Sequence, residues 1–166
     1  MKPQAGILAG EQEIIGRLRR HPMFRALRVD KLILGQLEAT LRATLLERWN
    51  DIPVIRMIRA TPDELRARAE RLATALGGSV RQGESVIGGG STPEQALPTW
   101  LVALSPPNVS TVERRLRSGE PPVVARIEEG QLLLDPRTVA ETEEGLLIAA
   151  VREALSVTNP AETAGR

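Results

Sequence analysis

Cysteine is absent from this 166-residue chain, histidine occurs once, and the only lysines are Lys2 and Lys31. The first absence removes disulfides, thiolate nucleophiles and Cys-ligated metals together, and it fits a reducing compartment. With His21 alone there is no multi-His metal site, so no metal is expected. Nearly all positive charge is arginine, which leaves few candidates for a Schiff base, the chemistry that needs an amine. Aromatics are scarce too: Trp49, Trp100 and Phe24 complete the set, too few for a base-stacking surface, and they read as packing residues. No apolar run approaches the roughly 18 residues of a membrane-spanning helix, so the expectation is a soluble, cytoplasmic protein without a membrane partner. Twenty-two basic against 21 acidic residues give a net charge of +1. Bulk charge therefore names no partner, and any anion must be held locally.

What is present is a hydrophobic run, Ala5 to Ala9, that arrives within a few residues of Met1 and is bounded by Gly6 and Gly10. It reads as the end of a buried strand, and a chain that opens inside such a motif is expected to be a fragment. Glu11 to Arg20 reads as a helix with acids first and Arg17, Arg19 and Arg20 last, as the helix dipole favours; His21-Pro22 ends it. Asp30 is the expected N-cap of a long helix reaching about Arg48. At 100° per residue its Ile33, Leu34, Leu37, Leu41 and Leu45 make one apolar stripe, and Leu32, Ala39, Ala43 and Leu46 another. Two apolar sides imply a bridge wedged between lobes or subunits. The type of Asn50 to Arg59 stays open.

Thr61-Pro62-Asp63-Glu64 spells a helix start with a capping box, ending at Gly77-Gly78. Strands are expected over Ser79 to Ile87 and Leu97 to Leu104, then a helix over Ser110 to Arg117 with Ser110 and Glu113 as a second capping box. A hairpin of Val123 to Glu128 and Gln131 to Leu134 should turn at Glu129-Gly130. The closing helix, Thr142 to Ser156, should bury Leu146, Leu147, Ala150 and Leu155. This order predicts an α+β class, a small two-layer domain with an antiparallel sheet and helices on one face.

Arg25 and Arg28, three apart, could converge on one phosphate or carboxylate from a helical turn; the plainer reading is a solvated flank. Gly88-Gly89-Gly90 could present backbone N–H groups to a phosphate, but lacks the GxGxxG spacing, and an inter-strand loop is the plainer reading. Arg126 sits among apolar strand residues, where it needs a solvent face or a partner. His21 reads as a helix terminator, and no Ser, His and Asp constellation emerges.

Pro3-Gln4-Ala5-Gly6, Arg25 to Lys31 (RALRVDK), Gly88-Gly89-Gly90-Ser91 and Pro121 to Ile127 (PPVVARI), collinear along nearly the whole chain, resemble the C-terminal part of bacterial selenocysteine synthase, the L-seryl-tRNA(Sec) selenium transferase family. That family is pyridoxal-phosphate dependent and of fold type I. The resemblance implies four parts: residues 1–29 as the end of the cofactor-binding large domain, 30–59 as bridging helix and linker, 60–158 as the small domain, and 159–166 as a tail. It implies that Arg25 and Arg28 bind the anionic selenium donor, that Arg126 faces substrate, and that Gln4 and Gly6 lie just beyond the cofactor.

In the family the Schiff-base lysine stands five residues before the Pro of PQAG, upstream of Met1, so Lys2 is not its equivalent and no catalytic residue is expected in this chain. The resemblance further implies seryl-tRNA(Sec) and selenophosphate as partners, pyridoxal phosphate in the intact enzyme, and a homo-oligomer. The chain alone should neither hold the cofactor stably nor turn over. Two alternatives remain: part of a related pyridoxal-phosphate lyase acting on a phosphorylated substrate, or a non-catalytic assembly module.

Overall fold

Asp30 accepts a hydrogen bond from the Ile33 N–H at 2.8 Å, which satisfies one of the free donors at the start of a long helix. This computed structural model describes residues 5–87 and 95–156. The chain divides into two units, Met1–Arg56 and Met57–Arg166. The first contains α1 (Gln12–Arg20), the short α2 (Met23–Ala26) and α3 (Lys31–Leu45), followed by a 3-10 turn at Trp49–Asp51. The unsettled stretch after it is helical, α4 (Pro53–Arg59), and the division between units falls within it.

Ala5 to Gly10 differs from expectation: it is irregular and exposed, with no strand beside it among the described residues. An isolated strand leaves its backbone groups to water, and nothing in this unit supplies a ladder. The long helix also stops three residues early, where Glu47 turns left-handed at φ 54°. Its two apolar stripes are largely bare: Leu32, Leu34, Leu41, Leu45 and Leu46 are all exposed, and only Ala43 is buried.

The second unit has the core. Its elements are α5 (Pro62–Leu76), β1 (Ser79–Val86), β2 (Ala96–Leu104), α6 (Val109–Ser118), β3 (Arg126–Glu128), β4 (Gln131–Leu134) and α7 (Glu144–Ser156). The expected capping box forms: the Glu64 N–H donates to Thr61 Oγ1 at 3.3 Å while the Thr61 N–H donates back to Glu64 Oε2 at 2.8 Å. The four strands are antiparallel in the order β1-β2-β4-β3. Glu129 and Gly130 both take positive φ, 50° and 76°, the two-residue turn whose twist suits a tight hairpin.

Register places Val102, Leu104, Leu132 and Leu134 on one face, and against them pack Ala69, Leu72 and Leu76 of α5, Val112 and Leu116 of α6, and Leu147, Val151 and Ala154 of α7. The helices thus share one face, as expected. The opposite face carries a smaller cluster. There Leu101, Ala103 and Leu133 form a second buried cluster, and the outer strands reach across it: Arg81 of β1 pairs with Glu128 of β3 at 3.7 Å.

Three local expectations are corrected. The capping box at Ser110 does not form, because Asn108 is the N-cap and Glu113 instead pairs with Arg117 one turn on. β3 is only three residues long, since the Val123 N–H donates at 2.7 Å to the Leu116 carbonyl and is spent outside the sheet. Leu146 is exposed, because the inward stripe of α7 runs through Leu147, Val151 and Ala154, the i, i+4, i+7 positions.

Candidate functional site

Arg25 lies in α2, a single turn ended by Leu27, and Arg28 follows it outside the helix. The pair therefore does not share a regular helical turn. Both are exposed, and neither side chain forms a hydrogen bond or ion pair among the described residues. His21 shapes this corner: its Nδ1 accepts from the Met23 N–H at 3.2 Å, closing the turn between α1 and α2 beyond its expected role as terminator. Two unpaired guanidinium groups three residues apart can hold an oxyanion by charge-assisted hydrogen bonds without first breaking an internal pair.

Two open grooves lie in the same unit. One, of about 860 Å³, runs from Leu8 and Gly10 along α1 to Arg19 and Arg20; the other, about 570 Å³, follows Leu34, Leu37, Leu41 and Leu45 beside Glu38 and Arg42. Arg25 and Arg28 line neither groove.

Arg126, in the second unit, is placed by β3 on the sheet face opposite the helices, beside Leu133. It pairs with Glu128 at 3.5 Å and donates to the Glu84 carbonyl of β1 at 3.3 Å. Arg81 pairs with the same Glu128 and, at 3.1 Å, with Glu129. The two guanidinium groups thus share one carboxylate over the Leu101 cluster. An incoming carboxylate or phosphate would have to replace Glu128, so this patch is charge-balanced among the described residues.

The residue that sequence reasoning missed is Arg137. It is buried, and every part of its guanidinium is used: Nε donates to Ser85 Oγ at 3.1 Å, Nη1 to the carbonyls of Met57 and Ala60 at 2.7 and 3.1 Å, and Nη2 to the Pro98 carbonyl at 2.6 Å. Asp135 completes the network by accepting from Ser85 and Thr99. Burial pulls the Arg137 pKa below the ordinary arginine value, against the opposing pull of the Asp135 charge. The only local signal is Asp135-Pro136-Arg137 at the end of an apolar strand; the partners lie 39 to 80 residues away.

Among the described residues nothing builds a pyridoxal-phosphate site. Gly6 is exposed with open space around it, and Gln4 lies outside the described residues, as do Gly88 to Ser91. Lys31 is exposed at the start of α3, and no buried side-chain polar atom among the described residues lacks a partner. No group of His, Asp and Glu among them could hold a metal ion, and no helix is long and apolar enough to cross a membrane.

Residues 2–140 match the family model described as SelA, L-seryl-tRNA selenium transferase. The chain belongs to that family. It is 46% identical over 125 residues to the L-seryl-tRNA(Sec) selenium transferase of Nitratidesulfovibrio vulgaris, covering 69% of this chain and 27% of that one. With the enzyme of the same name from Aquifex aeolicus it shares 43% identity over 126 residues, 71% of this chain and 28% of that one. The chain thus spans little more than a quarter of the length of these curated relatives. A solved structure titled D-glucosaminate-6-phosphate ammonia-lyase aligns with a TM-score of 0.47 at 25% identity, over 81% of this chain and 34% of that one.

Proposed function

We propose that this chain is the C-terminal part of a selenium transferase that converts seryl-tRNA(Sec) to selenocysteinyl-tRNA(Sec). Selenophosphate exchanges its selenium for the seryl β-hydroxyl oxygen, so selenol-bearing tRNA and inorganic phosphate leave. Pyridoxal phosphate supplies the electron sink in the intact enzyme, and its lysine and most of its pocket belong to sequence upstream of this chain. The family match over residues 2–140 carries this reading.

Arg25 and Arg28 bind the anionic selenium donor in this account. Their charges are unspent among the described residues, and a guanidinium pair neutralises and orients a phosphate-like group that keeps its charge from substrate to product. Arg126 faces the substrate with a weaker claim on it, because Glu128 already occupies its charge. Gln4 and Gly6 lie just beyond the cofactor site and contribute weakly to cofactor binding. The intact enzyme is a cytoplasmic homo-oligomer, and the bare stripes of α3 support burial against a neighbouring surface.

The test is kinetic. In the full-length enzyme, R25Q and R28Q should each raise KM for selenophosphate about 10- to 100-fold, as removal of a charge-assisted hydrogen bond predicts, and leave tRNA affinity unchanged. Unaltered KM in both variants would remove the assignment. The 166-residue chain alone, incubated with pyridoxal phosphate and reduced with borohydride, should give no stoichiometric adduct at Lys2 or Lys31. The exposed leucines of α3 also favour a second reading, a non-catalytic assembly module; a full-length protein that self-associates but has no transferase activity would select it.

A further inference from the structure

Residues 17–31 carry six cations, Arg17, Arg19, Arg20, Arg25, Arg28 and Lys31, and a single carboxylate, Asp30. This short stretch has a net charge of +5 and the rest of the chain −4. All six cations are exposed, and none of their side chains forms a hydrogen bond or ion pair among the described residues. Elsewhere arginines are commonly neutralised, as Arg42 is by Glu38, Arg66 by Glu70 and Arg68 by Glu144. Asp30 offers no relief, since its carboxylate caps α3.

The helix dipole favours cations in the last turn of α1, but that effect fades within a turn and does not reach Arg25, Arg28 or Lys31. On α1, 100° per residue sets Ile14, Ile15 and Leu18 on one side and Arg17 and Arg20 on the other, with Glu13 on the arginine side one turn before Arg17, and Arg19 at the border next to Ile15. Whatever covers the apolar side leaves the arginine side in solvent. A lipid surface would seat the apolar side of α1 and leave Arg17 and Arg20 on the face turned away from it, so it does not account for the charge of that face. A phosphodiester backbone, with one charge per nucleotide and no apolar demand, fits the arrangement.

We propose that Arg17, Arg19 and Arg20 at the end of α1 contact the phosphate backbone of the tRNA substrate, leaving Arg25 and Arg28 to the small selenium-bearing anion. The identity of the polyanion rests on the function proposed above; the surface itself rests on charge and exposure. One continuous basic strip would then guide the acylated end of the RNA toward the residues that hold the donor.

The experiment titrates the 166-residue chain into fluorescently labelled total bacterial tRNA across a series of salt concentrations and reads anisotropy. R17Q/R19Q/R20Q should reduce the slope of log K against log salt by about 2 to 3, near one for each phosphate no longer neutralised, and weaken low-salt binding at least tenfold. R42Q/R114Q/R117Q removes the same charge from other helices and should leave the slope unchanged. Equal reductions in both variants, an unchanged slope in the first, or tighter binding to phosphatidylserine vesicles than to tRNA would overturn the proposal. If the first triple variant loses its helical circular dichroism, R17Q and R20Q singly carry the test, each expected to lower the slope by about 0.7 to 0.9. An intact slope in the first variant refutes this surface and leaves the transferase reading standing; tRNA binding through it without transferase activity in the full-length protein does the reverse.

Discussion

Arg68 and Glu144, 76 residues apart in sequence, meet at 2.6 Å between Nε and Oε1, with both side chains mostly shielded from water. The pairing ties α5 to the start of α7, and Arg68 Nη2 also donates to the Val139 carbonyl at 2.8 Å. Removing Glu144 leaves Arg68 without its carboxylate, and removing Arg68 leaves Glu144 only the longer pairing with exposed Arg71 at 3.7 Å. R68A or E144A should lower unfolding free energy by about 2–4 kcal/mol, just under the cost of breaking a fully buried pair. Urea unfolding measures it, and R68M/E144M should recover part of the stability because neither charge is then left alone.

Arg137 should be harder to replace. Its four protein acceptors come from the α4 to α5 junction, β1 and β2, so R137M leaves several oxygens without a donor and should cost about 3–5 kcal/mol. R137K keeps the charge but not the planar fork, and should recover less than half of that cost in the same unfolding experiment.

At Gly78 a Cβ would stand 2.7 Å from the Ala103 carbonyl oxygen and 2.6 Å from Leu104 Cδ2. The backbone oxygen cannot step aside without shifting β2. G78A should therefore destabilise by about 1–3 kcal/mol, the range for overpacking, read as a lower urea midpoint with an unchanged slope.

The Glu64 carboxylate is held below its ordinary pKa by the hydrogen bond it accepts from the Thr61 backbone, with the Thr61 hydroxyl adding to the effect and burial opposing it. A depressed carboxylate adds stability above its unfolded value, about 4.3, and that contribution fades as pH falls through the lower folded value. E64A should thus differ most from the parent at neutral pH, and the gap should close below about pH 4. A gap that persists unchanged into strong acid would contradict the capping role.

Local chemistry was legible where one or two residues decide the geometry. Asp30 as a cap, the Thr61 and Glu64 box and the Glu129-Gly130 turn each depend on atoms within a few positions of one another. An antiparallel sheet with helices on one face followed from the order of helices and strands; the strand order β1-β2-β4-β3 did not. Less was legible where the outcome depends on distant partners. Ala5 to Ala9 has a strand's composition, but a strand forms only beside another strand. Ser110 and Glu113 matched a capping pattern, yet Asn108 lay nearer the helix start and Arg117 competed for the carboxylate. Arg137 was invisible because its acceptors are mostly backbone carbonyls, which no side-chain motif announces. At the candidate site, spacing alone favoured a solvated flank for Arg25 and Arg28, and the family resemblance singled them out, whereas the carboxylate shared by Arg81 and Arg126 depends on how the outer strands meet across the sheet.

That meeting has a consequence for handling the protein. A sheet ordinarily offers its two outermost strands as templates on which further chains stack. Here the side chains of β1 and β3 meet over the Leu101 cluster, tied through Arg81, Arg126 and Glu128, and Arg126 takes up the Glu84 carbonyl of β1. The second unit should therefore resist seeding fibrils, and any clumping on storage should begin at the bare leucines of α3.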